Sequence, residues 1–350
     1  MLIYVGSYTS ADRNGRGKGI SVFRSVGNVW KHFQTLTTYD NPSLLRISPG
    51  RRVLYAVHGG RTRVSAYTIE PDGQLAAFGS VASGGENPVD LGLLANGRFV
   101  VTANYTSGTV ALLRAGADGA LVDVCQIIKL ERPGYDNVGP LASMPHGVTI
   151  SPAGNFVLIP NKGLDCIFVF RFDPAGQLVP ASVPYVSCKA GTGPRHAAFH
   201  PRLPILYVVG ELGCSVEAFH WDATTGELHH KQAVSTLPGA AVSDNLAAEI
   251  AVSADGRSVY ASNRGHNSIA HFPVDRLTGL LGPVVCTCCL GKEPRAFALA
   301  PNGEVLHVAN QESDTITSFS INEAGEIGAG FASTQVASPS SICFGADREW

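Results

Sequence analysis

The segment PRHAAFHPRLPILYVVGELGCSVEAFHWDATTGEL, Pro194–Leu228, decides the fold. A proline opens a short apolar strand, and a Pro-rich turn follows it. A second apolar strand carries a tyrosine, a third strand succeeds it, and a Gly-containing turn ends the unit. The same phrase begins NPSLLRISPGRRVLYAVHGG at Asn41, NPVDLGLLANGRFVVTANYT at Asn87 and PHGVTISPAGNFVLIPNKG at Pro145. It returns as AAEIAVSADGRSVYASNRGHNSIAHF from Ala247 and PRAFALAPNGEVLHVANQESDTITSF from Pro294. Starts at 42, 88, 145, 194, 247 and 294 lie about 46 to 57 residues apart. Several strands per repeat at such a period indicate β-propeller blades.

The ends of the chain complete the series. SPSSICF, 338–344, reads as a first strand with nothing after it, and LIYVGSYTS with KGISVFRS as later strands with nothing before them. Six whole repeats and one blade shared between the termini predict a seven-bladed, all-β propeller, residues 1–350 forming one domain. No long helix is expected. The longest departures, 131–144 and 235–247, both precede a first strand and are expected to overhang the same end of the ring.

Composition agrees with that reading. Charged residues make up only 15% of the chain, while 39 Gly and 21 Pro supply many turns. A formal charge of −2 gives no global electrostatic case for nucleic acid or an anionic membrane. No apolar run is long enough for a membrane-spanning helix, and MLIYVGSYTS lacks a basic signal-peptide n-region. A cytoplasmic protein is therefore expected. The eight cysteines sit mostly in strand-like contexts, where a free thiol acts as a small apolar group. The CTCC run at 286–289 has no second Cys/His pair at zinc-like spacing, so neither metal nor cofactor is expected.

Repeats permit comparison of equivalent slots within one chain. The residue after the opening position is Ser43, Val89, His146, Arg195, Ala248, Arg295 and Ser340. Four residues beyond the tyrosine-like position stand Tyr8, Gly59, Tyr105, Lys162, Glu211, Arg264 and Gln311. In a propeller both columns converge on the mouth of the central channel. There they gather four fixed cations, one carboxylate and one imidazole, in a protein that is slightly acidic overall. Arginine forks match carboxylate and phosphate oxygens, so the expected ligand is a small anion. His146 and Glu211 are the acid–base candidates. Flanked by arginines, Glu211 should stay ionised, which leaves His146 as the group expected to titrate near neutrality.

Plain structural roles compete for several residues. A lone arginine at a strand start can cap a loop, and Glu211 can serve only to neutralise Arg195 and Arg264. His196 is expected to hydrogen-bond backbone, His200, before Pro201 at a turn, to be structural, and His266 could serve either role. Asn104, Asn161, Asn263 and Asn310 share one slot in four blades, which points to tying down a turn.

GTGPRHAAFHP, YVVGELGCSVEAF, AEIAVSADGRSVYASNRGHNSIAHF and EPRAFALAPNGEVLHVANQESDTI together resemble the lactonase family of seven-bladed propellers. That family includes propeller-type 6-phosphogluconolactonases and carboxy-cis,cis-muconate cyclases. The resemblance runs from LIYVGSYT to the closing blade. It implies site roles for the positions matching His146, Arg195, Glu211 and Arg264. Lys162 stands where the family often carries a DLG-type segment, which adds a cation. The expectation is hydrolysis of a sugar-acid lactone such as 6-phosphogluconolactone. Arg195, Arg264, His146 and Glu211 would be catalytic, and Lys162, Arg295, Gln311, Tyr105 and Tyr8 would bind substrate. The alternatives are a muconate-type cycloisomerase and a non-enzymatic binding module, against which the cationic mouth speaks. A closed ring needs no partner, so a monomer is expected, with a homodimer as the alternative.

Overall fold

A computed structural model describes the chain apart from residues 28, 51, 135–141, 240–243 and 346–350, and the side chain of 96. It contains seven four-stranded antiparallel sheets. Six of them follow the repeats in order. Their innermost strands are Pro42–Ile47, Pro88–Leu94, Thr149–Ile150, Pro194–Phe199, Leu246–Val252 and Pro294–Leu299, in blades 1 to 6. Blade 7 joins Pro339–Phe344 to Leu2–Ser7, with Tyr4 opposite Cys343. Each innermost strand touches the next around the circle, and Pro339–Phe344 meets both Pro294–Leu299 and Pro42–Ile47, so the ring is closed across the termini. The described helical segments are two single turns, Ala11–Arg13 and Ala95–Gly97.

The second strands are apolar on both faces because each sheet is sandwiched between neighbours. Val53–His58, Phe156–Asn161, Ile205–Gly210 and Ser258–Arg264 are buried throughout. Outer strands alternate instead, as in Leu121–Lys129 and Leu178–Ser187, whose alternate residues meet solvent. The core therefore comprises layers between adjacent sheets. One layer holds Phe156, Leu158, Leu206, Val208, Phe219 and Trp221, from blades 3 and 4.

The tyrosine of the repeat stitches one blade to the next. Tyr4, Tyr55, Tyr207 and Tyr260 are completely buried. Their hydroxyls donate to the carbonyls of Gly73, Gly119, Gly279 and Gly325 at 3.1, 2.6, 2.6 and 2.6 Å. Each acceptor belongs to the outer turn of the following blade, and each has positive φ, between 71° and 90°. Glycine meets that backbone demand without strain, which explains why the turn recurs with the tyrosine.

The recurrent asparagines are tied as their repetition suggests. Asn104 and Asn263 donate to the carbonyls of Ser83 and Thr236 at 3.0 and 2.9 Å, on the segments entering their own blades from the preceding one. Asn310 bonds Cys289 in the same way, and Asn161 bonds the Ser143 hydroxyl. The tips of the two long departures, 135–141 and 240–243, lie outside the described residues, so the expected overhang is not decided there.

Candidate active site

Two backbone devices place the two columns side by side. In blades 1, 2, 4 and 6 the strand pairing shifts immediately after the opening proline. Pro194 faces Gly210, whereas His196 faces Val209, leaving Arg195 as the extra residue of a β-bulge. Ser43, Val89 and Arg295 occupy the same bulge, and Ser340 of blade 7 lies in the equivalent shift. A bulge turns a side chain out of the alternating pleat, and here it is repeated around the ring. The second column is pinned by one hydrogen bond. The amides of Tyr8, Gly59, Tyr105, Lys162, Glu211 and Gln311 donate to the carbonyls of Ser338, Asn41, Asn87, Met144, Gly193 and Glu293 at 2.8–3.0 Å. The acceptor stands just before the opening proline in every case. Both columns are thereby fixed to one end of the channel.

Glu211 is the hub. Its Oε1 receives the Lys162 ammonium at 2.5 Å. Its Oε2 lies 3.1 Å from Arg195 Nε and 3.3 Å from Arg264 Nη2. The Arg195 contact is an ion pair rather than a hydrogen bond, since that Nε points off the acceptor and is left without a partner. Further bonds hold both guanidinium groups. Arg195 Nη1 donates to the Ala248 carbonyl at 2.6 Å, and Arg264 Nη2 to the Ala247 carbonyl at 3.3 Å. Blades 3, 4 and 5 are thus joined through one carboxylate.

Burial alone would raise the carboxyl of Glu211, but Arg195, Arg264 and Lys162 override it and bring the group down to about 2. Burial and the neighbouring Arg264 lower Arg195 to about 10 against the pull of Glu211, which still leaves it charged at neutral pH. Arg264 is lowered too, by burial first.

His146 differs from what its sequence context suggests. It is 6% exposed, and its ring stands edge-on to Tyr105 at 5.5 Å and to His196 at 5.3 Å between centroids. Burial, then Arg195, His196, Arg295 and Lys162, hold its pKa well below the ordinary imidazole value. The expectation of titration near neutrality is therefore corrected: at pH 7 the ring is neutral. Its Nδ1 is buried without a hydrogen-bond partner among the described residues.

The remaining expected residues divide. Lys162 Nζ sits 5.8 Å from the centre of the Tyr105 ring, and the Arg295 guanidinium lies over Tyr8 at 5.0 Å. Arg295 has no carboxylate within ion-pair distance among the described residues, yet it is close enough to act on His146, Arg195 and Arg264. The side chain of Gln311 turns to the exposed carboxylate of Glu312 at 3.2 Å, and among the described residues no hydrogen bond joins it to the cluster.

His196 does not find the backbone partner expected of it. Its Nδ1 meets Glu249 Oε1 at 2.9 Å, and Arg195 Nη1 sits within 3.4 Å of both ring nitrogens. His200, in contrast, braces its turn: Nδ1 accepts from the amides of Arg202 and Leu203, and Nε2 meets the Gly256 carbonyl. His266 Nδ1 contacts the Ser268 hydroxyl at 2.7 Å. Glu249, Arg46 and Asp90, which the slot comparison did not single out, line the channel next to the mouth.

A closed seven-bladed ring gathers four fixed cations at its mouth, three of them converging on the ionised carboxylate of Glu211 beside a neutral imidazole, an arrangement suited to a small anion. The chain belongs to the family described as Lactonase, 7-bladed beta-propeller, whose model it matches over residues 2–344. Among its relatives is a 6-phosphogluconolactonase of Bacillus subtilis, 29% identical over 325 residues and covering 90% of each chain. A 6-phosphogluconolactonase of Yersinia pestis is 28% identical over 83% of this chain and 85% of that protein. The periplasmic gluconolactonase PpgL of Pseudomonas aeruginosa superposes with a TM-score of 0.90, at 31% identity and 99% coverage of both chains.

Proposed function

We propose that this protein hydrolyses the ring ester of a small anionic sugar lactone, 6-phosphogluconolactone being the substrate its named relatives suggest. The observation that carries the reading is the neutral, buried His146 with an unpartnered Nδ1, set beside cations that Glu211 holds in place.

Arg295, over Tyr8, and Lys162, beside Tyr105, are suited to grip the phosphate or carboxylate of the substrate. Arg195 and Arg264 face the ring carbonyl and stabilise the oxyanion as water adds. Removal of one such donor typically costs a few kcal/mol of transition-state stabilisation. His146 takes the proton of the attacking water and returns it to the ring oxygen as the C–O bond breaks. Glu211 is a poor candidate for that base, because both its oxygens are occupied by cations. Bound anion also offsets the cations that suppress His146, so its proton affinity rises when substrate is present.

Cytoplasmic residence and a monomeric state belong to the same proposal. Eight unpaired thiols, with Cys125 and Cys288 exposed, fit a reducing compartment. No described helix is long and apolar enough to cross a membrane.

The test is a panel of phosphorylated, carboxylated and neutral lactones, with a carboxymuconate included. Acid release from 6-phosphogluconolactone, with the diene absorbance of the muconate unchanged, supports hydrolysis. Loss of the diene absorbance without lactone hydrolysis would transfer the site to cycloisomerisation.

A further inference from the structure

Hydrolysis of a lactone at neutral pH leaves a carboxylate and one proton for every ester bond broken. On the reading above, that proton is released inside a mouth ringed by cations, which offers it no resting place. His146 itself is held neutral by burial and by those same cations. A second route is built behind it.

The ring of His196 packs against that of His146 on the channel side, with centroids 5.3 Å apart and planes at 64°. His196 Nδ1 meets the carboxylate of Glu249 at 2.9 Å. Burial would raise that carboxyl, but His196, Arg195 and Arg46 bring it to about 2, so it stands ionised beside the ring. Beyond the pair lies a cavity of about 310 Å³ in the channel, lined by His196, Glu249, Arg46, Asp90, Thr149 and Val148. It is polar and large enough for a chain of waters. Its lining residues lie deeper along the strands whose starts form the mouth, so it leads away from the substrate.

The charged and titratable groups around His196 come from five blades. Arg195 is on its own strand, His146 in blade 3, Glu249 in blade 5, Arg46 in blade 1 and Asp90 in blade 2. Arg46 Nη2 and Asp90 Oδ1 are 3.5 Å apart and offset one another. Asp90 is further engaged by the amides of Leu91 and Val148 at 2.7 and 2.8 Å. Glu249 is thus the carboxylate committed to His196.

We propose that His196, with Glu249 as its counter-ion, carries the product proton from the His146 side of the site to the water of the central channel. A water-borne proton reaches Nε2 of His196 in place of its 3.4 Å contact with Arg195 Nη1, the imidazolium is stabilised by Glu249, and a proton passes on to channel water. The ring returns to its starting protonation, and no bond to carbon changes. Neither residue touches substrate in this scheme, so both are positioning residues for proton traffic. The proposal rests on lactone hydrolysis as the reaction.

The experiment measures wild type, His196→Gln and Glu249→Gln with 6-phosphogluconolactone, across pH and across concentrations of imidazole buffer. Wild-type turnover is read first and tests the parent reading by itself. The expected result in both variants is a kcat reduced by tenfold or more, with KM within about twofold. Rising imidazole should restore kcat, which a purely structural lesion would not allow. Melting curves accompany each variant, and the isosteric Glu249→Gln remains informative if His196→Gln is unstable. Active wild type with unchanged kcat in Glu249→Gln overturns the relay while sparing the hydrolase. So does a folded variant whose loss is insensitive to buffer or lies in KM. Wild type inactive on every lactone overturns both.

Discussion

On the proposed mechanism Glu211 is required without performing the chemistry. Lys162, Arg195 and Arg264 converge on it while it is only 4% exposed. In Glu211→Gln those cations lose their common counter-charge in a buried place. Breaking a buried ion pair from one side costs about 3–5 kcal/mol. A stability loss of that order in urea unfolding is expected, together with lost activity. His146→Ala should behave differently. The fold should survive, kcat should fall by roughly 10²–10⁴, and KM should change little, as for removal of a general base. Steady-state kinetics separate the two. The pH profile provides a finer check. A base works only when unprotonated, and free His146 is held well below the ordinary imidazole value. The acid limb of kcat/KM should therefore lie well below pH 6.5. Bound anion raises His146, so the acid limb of kcat should lie at higher pH than that of kcat/KM. Coincident limbs would mean that substrate charge does not reach His146.

At the scale of strands, the bulge after the opening proline is what makes a mouth out of a strand start. The sequence already showed the columns, because repeats make odd residues visible against their equivalents. Arg195 and Arg295 stand out against Ser43 and Ala248 for that reason. The bulge itself was not legible, since a single inserted register shift leaves no mark in local composition. Nor was the partner of His196. Glu249 lies 53 positions away, one slot inward of the compared column, and only the packing of the innermost strands of blades 4 and 5 brings the two to 2.9 Å. At Gln311 the slot places the backbone at the mouth, while its amide meets Glu312. A slot predicts where a backbone lies, not which way a flexible amide turns. Gly147 tests the strand-level account. A Cβ there would lie 2.6 Å from the Arg195 carbonyl and 3.4 Å from the His196 Cα. Gly147→Ala must therefore push the segment carrying His146 away from the Arg195 bulge. Overpacking of this kind costs about 1–3 kcal/mol. A lowered melting temperature and a kcat reduced more than KM is raised are the expected outcome.

The whole chain carries a formal charge of −2, yet its mouth gathers Lys162, Arg195, Arg264 and Arg295 about the carboxylate of Glu211. Concentrating cations in a mouth has two consequences for the molecule. The first concerns acid. Glu211 and Glu249 both fall to about 2 from an ordinary 4.5. Above about 4.5 both folded and unfolded chains are ionised there, and the stabilisation is complete. As the pH falls from there towards 2, the unfolded chain takes up protons that the native state refuses, so unfolding becomes easier. His146 adds to the trend from pH 6.5 downward, because it too refuses a proton in the fold. Unfolding free energy should therefore decline steadily from neutrality to pH 2, with a shallower slope below 4.5 in Glu249→Gln. The second concerns encounter. An anion approaching a slightly acidic protein is repelled at long range but attracted near the mouth. Steering of this kind weakens once the screening length, about 10 Å at 0.1 M salt, falls below the reach of the patch. Buried pairs such as Arg195–Glu211 are screened far less than the rim charges Lys162 and Arg295. Salt should accordingly lower kcat/KM for a phosphorylated lactone several-fold between about 0.02 and 0.5 M, leave kcat almost unchanged, and barely affect a neutral lactone. Arg295→Met should flatten the salt dependence as well as raise KM, since it removes the mouth cation that has no ion-paired carboxylate among the described residues. Equal salt sensitivity for charged and neutral lactones would place the effect on the fold rather than on the field of the mouth.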